Sequence, residues 1–241
     1  MSYLSASQPY LSAGNSYAQG SQAYLGGGTA SYAHSPSYDR QAEQHASESL
    51  HASQEHVFVP DDFLSGIPTR ILNSQEELLP LVEETFTKTT GQHLPNDIVF
   101  TICPESAFAK AFGPGYTEGI QGFCRNRAGW GVSEIYVKQS DLAHVMLTLG
   151  HEIGHALTKP LPDARDEEAK AFAFSLAWIE TVKEHNIGGI AHAVHPRPAE
   201  NGLHNVAYHF ILAKGQKFLE TFVELAKGTL SIIPQLETII M

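Results

Sequence analysis

"LTLGHEIGHALTKP" (residues 147–160) sets two histidines, His151 and His155, around a glutamate, Glu152, inside an apolar run. The run reads as a helix. Ser140 and Asp141 can cap its start, Leu142, Val145, Met146, Leu149 and Ile153 recur at helical spacing, and Pro160 stops it. Residues four apart on a helix point the same way, so the two imidazoles share a face and can grip one ion at about 2.0–2.1 Å each. Glu152 lies one step round the helix, where its carboxylate can reach a water in the ion's fourth position. Although the chain carries 13 histidines in 241 residues, composition alone yields only about 0.05 chance matches to His-Glu-x-x-His. Gly150 and Gly154 weaken this helix for no reason of propensity, which predicts that another element approaches closely there.

Before this helix the chain alternates short elements. "SQEELLPLVEETFTKTTG" opens with Ser74 and Glu77 in a capping-box pattern and closes at Gly91, predicting a helix that Pro80 must kink or start late. "DIVFTIC" (97–103) reads as a strand, "ESAFAKAF" as a helix, and "EGIQGFCRN" and "SEIYVKQ" as two further strands around the glycine-rich "RAGWGV". After it come "PLPDARDEEAKAFAFSLAWIETVKEH", a loop and a second helix opening with acids, then two helices stopped by Gly215 and Gly228.

A third ligand must come from outside the motif. Thr158 and Leu161 stand where a metzincin would have glycine and histidine, which excludes that class. The acids Asp166, Glu167 and Glu168 open the second helix, and successive helical residues turn by about 100°, so only one can face the ion well. At this point the chain resembles the gluzincin metallopeptidases, whose third ligand is a glutamate on a helix following the His-Glu-x-x-His helix. Its size is most similar to that of the small members, the minigluzincins. The resemblance spans roughly 95–185 and implies a zincin-like α+β fold, a Zn2+ cofactor and a third ligand at Glu168, with Glu167 the alternative. Glu168 is followed by Ala169, has Ala171 and Phe172 at +3 and +4, and shares a stripe with Phe172 and Ile179. The family often has Asp or Asn four residues after its ligand, where Phe172 stands here. The family also implies a His or Tyr from the later region at the oxyanion; His204 and Tyr208 share a face there, with His209 beside them, and no motif selects among them.

Composition narrows the remaining choices. The net charge is −11 and no basic block exists to neutralise phosphates, so nucleic acid is not an expected partner. No run of eighteen or more apolar residues and no signal-peptide pattern occurs, so the expectation is a cytoplasmic protein with no membrane partner. Cys103 and Cys124 are too few for a disulfide framework and read as small core residues. His144, two turns before His151, reads as a hydrogen-bonded residue rather than a ligand. Residues 1–55, rich in Ser, Ala, Gly, Gln and Tyr with Arg40 as the one basic residue, read as a disordered tail, and 56–241 as the metallopeptidase domain. Tyr3, Tyr10, Tyr17 and Tyr24 fall seven apart, a low-complexity pattern that reads either as a passive solubilising tail or as a segment suited to self-association.

The function expected from these residues is zinc-dependent peptide-bond hydrolysis, with His151, His155 and Glu168 as ligands, Glu152 as general base, and a peptide or protein as substrate. One of the strands before the metal helix, with "EIYVKQ" the foremost candidate, is expected to align the peptide by β-pairing. The alternative is a non-catalytic metal-binding or interaction module with a degenerate peptidase fold, against which the intact Glu152 speaks. The apolar C-terminus "SIIPQLETIIM" must be covered, either by the domain's own helices or, as the resemblance implies, by lying in the cleft.

Overall fold

The computed structural model describes residues 58–72, 74–195, 206–215 and 217–233. The chain divides into Met1–Ala33 and His34–Met241, and all the described residues belong to the second unit. The expectations for the tail, for His204 and for the C-terminus beyond residue 233 lie outside the described residues.

The fold is α+β. A 3-10 turn at Pro60–Phe63 leads to α1 (Leu79–Thr90), β1 (Ile98–Cys103), α2 (Glu105–Phe112), β2 (Gly122–Arg125), β3 (Ser133–Lys138), α3 (Leu142–Ala156) and α4 (Ala164–His185). A second 3-10 turn at Ile187–Gly189, α5 (Val206–Ala213) and α6 (Phe218–Ala226) complete it. Pro80 resolves as a late start: it sits in the first turn of α1, where a missing N–H costs nothing, and Gly91 ends the helix at φ 74°. Among the described residues no helix is long and apolar enough to cross a membrane.

The sheet has the order β1-β3-β2, with β1 parallel and β2 antiparallel to β3. This corrects the expected peptide-aligning strand. "EIYVKQ" is the central β3, whose two edges are both occupied, so it cannot pair with a substrate. The open edge near α3 belongs to β2. Gln121 O accepts from Lys138 N at 2.9 Å, which places the hydrogen bonds of Phe123 towards β3 and, by the antiparallel alternation, turns the N–H and C=O of Gly122 and Cys124 to the side where, among the described residues, the sheet has no further strand.

One sheet face packs on α3 through residues such as Ile135 and Val137; the other carries α2 and a small aromatic cluster of Phe108, Phe112, Phe123 and Tyr136. Helix α3 is then covered on its far side by α4, and every α3 residue except His144 and His155 is buried. Helix α4 is buried from Glu168 to Val182 at every position except Ala177 and Glu180, with α1 and α6 meeting it at Phe86 and Phe222 against Phe174. Asp141 caps α3 by accepting from Ala143 N at 3.0 Å, and Asp163 caps α4 by accepting from Arg165 N at 2.9 Å.

The two glycines in the motif set the α3–α4 spacing. A methyl group on Gly150 would lie 2.5 Å from the Trp178 ring, and one on Gly154 would lie 2.9 Å from the Cα and carbonyl oxygen of Ala171. Backbone meets backbone at Gly154, which brings Glu167, Glu168 and Ser175 of α4 against His151 and His155. The close approach expected from the sequence is therefore met by α4.

Candidate metal centre

His151, His155 and Glu168 converge where α3 and α4 touch. Their ligand atoms lie within 4.8 Å of one another, an arrangement that can hold a metal ion. The two Nε2 atoms are 3.1 Å apart; Glu168 stands 3.4 Å from His151 Nε2 through Oε2 and 3.7 Å from His155 Nε2 through Oε1. A tetrahedral ion with bonds of about 2.0–2.1 Å holds its ligand atoms about 3.3–3.4 Å apart; the two Nε2 atoms lie close to that spacing, and Glu168 turns a different carboxylate oxygen towards each of them.

Hydrogen bonds behind the rings decide which nitrogen faces the centre. Glu167, a carboxylate that can only accept, lies 2.8 Å from His155 Nδ1, so that nitrogen carries the proton. Ser175 Oγ donates to Ala171 O at 2.9 Å and lies 3.1 Å from His151 Nδ1, so it accepts from His151 in turn. Both Nε2 lone pairs then point at each other and at the Glu168 carboxylate. Such a set of three acceptors repels itself in a buried site unless a cation or proton sits among them.

Glu167 therefore plays a different part from its neighbour. Its carboxylate takes His155 Nδ1–H, the Leu161 amide at 2.7 Å and the Lys170 ammonium at 2.8 Å. Burial works against its ionisation, but His155 and Lys170 outweigh burial and hold the carboxyl down at about 2. The 100° turn of the helix separates the two neighbours: the Glu168 carboxylate faces the lone pairs, and the Glu167 carboxylate faces the back of the His155 ring.

Glu152 is buried, and burial raises its carboxyl to about 7, with His155 pulling it down and Glu168 pushing it up. The side chain lies against β2: a methyl group on Gly122 would meet Glu152 Cγ and Oε1 at 3.0 Å each. The open sheet edge and the Glu152 carboxylate are thus adjacent. Asn126, just after β2, ties that edge to the end of α3 by donating from Nδ2 to His155 O and Thr158 O at 2.6 Å each.

Other residues singled out in the sequence fall elsewhere. Cys103 and Cys124 are free thiols outside the cluster, and burial, with the charges of Glu152 and Glu167, pushes the Cys124 thiol well up. His144 Nδ1 and Nε2 bond Asp141 and Asp61 at 2.5 and 2.7 Å, so it is hydrogen-bonded as expected and is not a ligand of this cluster. Tyr208 is buried against Phe63 and Phe172. Sequence reasoning missed Ser175, Glu167 as a partner of His155, Lys170, Gly122 and Phe58, whose ring stacks on His151 at 4.7 Å between centroids and 9° between planes. Of these only Ser175 carried a signal, since it stands seven residues after Glu168 and so on the same helix face.

Comparison of the chain with protein-family models, curated proteins and solved structures finds no match.

Proposed function

We propose that this chain is a zinc-dependent peptidase with a zincin-like fold of the gluzincin type. The observation that carries the reading is the convergence of two fixed Nε2 lone pairs and the Glu168 carboxylate beside a second buried carboxylate, Glu152, that is not among them. A structural metal site has no use for that extra carboxylate. The nitrogen and oxygen donors suit zinc, whose Lewis acidity makes water a nucleophile near neutral pH and polarises a carbonyl.

The chain's own groups would do the rest. Glu152, with a carboxyl held near 7, is matched to accept a proton from the attacking water and to return it to the leaving amine nitrogen. The backbone N–H and C=O groups of Gly122 and Cys124 face outward along the strand beside it, suited to pairing with an extended peptide. Glu167 and Ser175 hold the two imidazoles in the metal-binding tautomer.

The test has two arms. The dialysed full chain should carry one zinc per molecule, lost in His151→Ala. Glu152→Gln should keep the zinc and the fold while peptide hydrolysis falls by about 100-fold or more. A folded wild type with no affinity for zinc, or a Glu152→Gln variant with unchanged turnover, would overturn the proposal.

A further inference from the structure

Phe58 lies flat on the ring of His151, and its other neighbours are Phe63, stacked at 5.5 Å, and the edge of Phe172 at 5.4 Å. Only 9% of Phe58 is exposed. The same segment is held at two further points. His195 N donates to Phe63 O at 2.8 Å and Ser65 N to Ala193 O at 2.9 Å, which pins its end to the stretch after α4. Asp61 accepts from His144 Nε2 at 2.7 Å, and His144 Nδ1 is bonded to Asp141, the cap of α3.

We infer that Phe58–Leu64 is a strap that closes the metal centre, in which Phe58 is a positioning residue for His151 and the Asp61–His144–Asp141 bridge is the clasp that keeps it in place. The inference rests on the reading of His151 as a metal ligand for its effect on zinc, though not for the stack itself. Ser175 holds Nδ1 of the His151 ring and Nε2 faces His155 and Glu168, all contacts in the ring plane, so the motion they leave to the ring is tilting out of that plane. A flat apolar ring 4.7 Å away removes this freedom and excludes water from the imidazole face. Two anchors and an aromatic stack divide the labour: the backbone pairing at 63–65 keeps the segment on the domain, while the clasp sets how firmly its beginning presses on the site.

The clasp is remote from the metal ligands, and that makes the idea testable. Asp61→Asn leaves Phe58, the cluster and the backbone pairing intact but replaces a carboxylate partner of His144 with an amide. In the metal-free full-length chain, with carbon-13 in the histidine rings, the ring protons of His151 should show an upfield ring-current shift from Phe58. Phe58→Leu should abolish that shift while keeping apolar volume, Asp61→Asn should reduce it, and Phe58→Tyr should preserve it.

In the zinc-loaded chain, release of zinc to an excess of chelator should be about tenfold faster in Phe58→Leu and several-fold faster in Asp61→Asn. Combining the two should give no more than Phe58→Leu alone, because both act through one contact. A purely packing role for Phe58 predicts instead that Phe58→Leu matches the wild type in zinc release. That result, or a His151 shift and zinc release unmoved by Asp61→Asn, overturns the strap. If the wild-type chain binds no zinc, the peptidase reading fails, and the ring-current measurement still decides whether the strap exists.

Discussion

Gly154→Ala should weaken zinc binding while giving the fold none of the stability that helix propensity predicts. Judged by helix propensity alone the change is favourable, by about 1 kcal/mol in a helix interior. The structure reverses that expectation. The added methyl would lie 2.9 Å from both the Cα and the carbonyl oxygen of Ala171 and 3.1 Å from Phe174 Cβ. Carbon atoms settle at about 3.5–4.0 Å, and the atoms in the way are mostly backbone, which cannot rotate aside, so α4 must retreat by about half an ångström. Overpacking of this kind costs about 1–3 kcal/mol, leaving a net loss of about 0–2 kcal/mol after the propensity gain.

The metal site feels the same retreat more sharply. Ala171 is one turn after Glu168, Gly154 is next to His155, and metal–ligand distances tolerate only about 0.2 Å. Zinc affinity should fall at least about tenfold, equivalent to about 1.4 kcal/mol. Urea unfolding of the metal-free protein and chelator competition on the loaded protein measure the two quantities separately. A variant that gains about 1 kcal/mol of stability and binds zinc like the wild type would refute the argument from close approach.

Gly122→Ala should leave zinc affinity unchanged but lower turnover, because the new methyl displaces the Glu152 carboxylate and Thr148; unchanged kcat would count against Glu152's placement. Asn126→Asp puts a carboxylate where an amide donates to two carbonyls, so KM for peptides should rise with zinc content preserved, measured by steady-state kinetics alongside metal analysis. Glu167 has a folded pKa below its ordinary 4.5, so its contribution is complete above that value and is lost as the pH falls towards about 2. Acid unfolding of wild type and Glu167→Gln should therefore converge over this range by an amount on the order of 3 kcal/mol. Burial opposes the charge on His144, but hydrogen bonds to Asp61 and Asp141 prevail and raise it above 6.5. Its contribution is present in full below that pH and lost as the pH rises through the raised value, so the stability difference between wild type and His144→Gln should shrink with rising pH.

The sequence by itself carried everything that depends on local periodicity. An i, i+4 pair of histidines shares a helix face wherever that helix goes, and the apolar stripe from Leu142 to Ile153, the Asp141 cap and the glycines at 91, 215 and 228 are local statements that the fold had no reason to change. Gly150 and Gly154 even announced a close neighbour, though not which one. What the sequence left open were relations between segments. Which strand has a free edge depends on pairing order, and hydrophobic alternation in "EIYVKQ" reads the same in a central strand as at an edge; only the assembled sheet put β2 outside and Gly122 beside Glu152. Which of Glu167 and Glu168 faces the two Nε2 atoms turned on the axial rotation of α4 against α3, fixed by packing at Gly154 and Trp178 rather than by any residue near the acids. Lys170 and Phe58 were silent for the same reason. Nothing local marks a lysine for burial or a phenylalanine for a histidine face; their partners lie on other segments, and only tertiary packing brought them into contact.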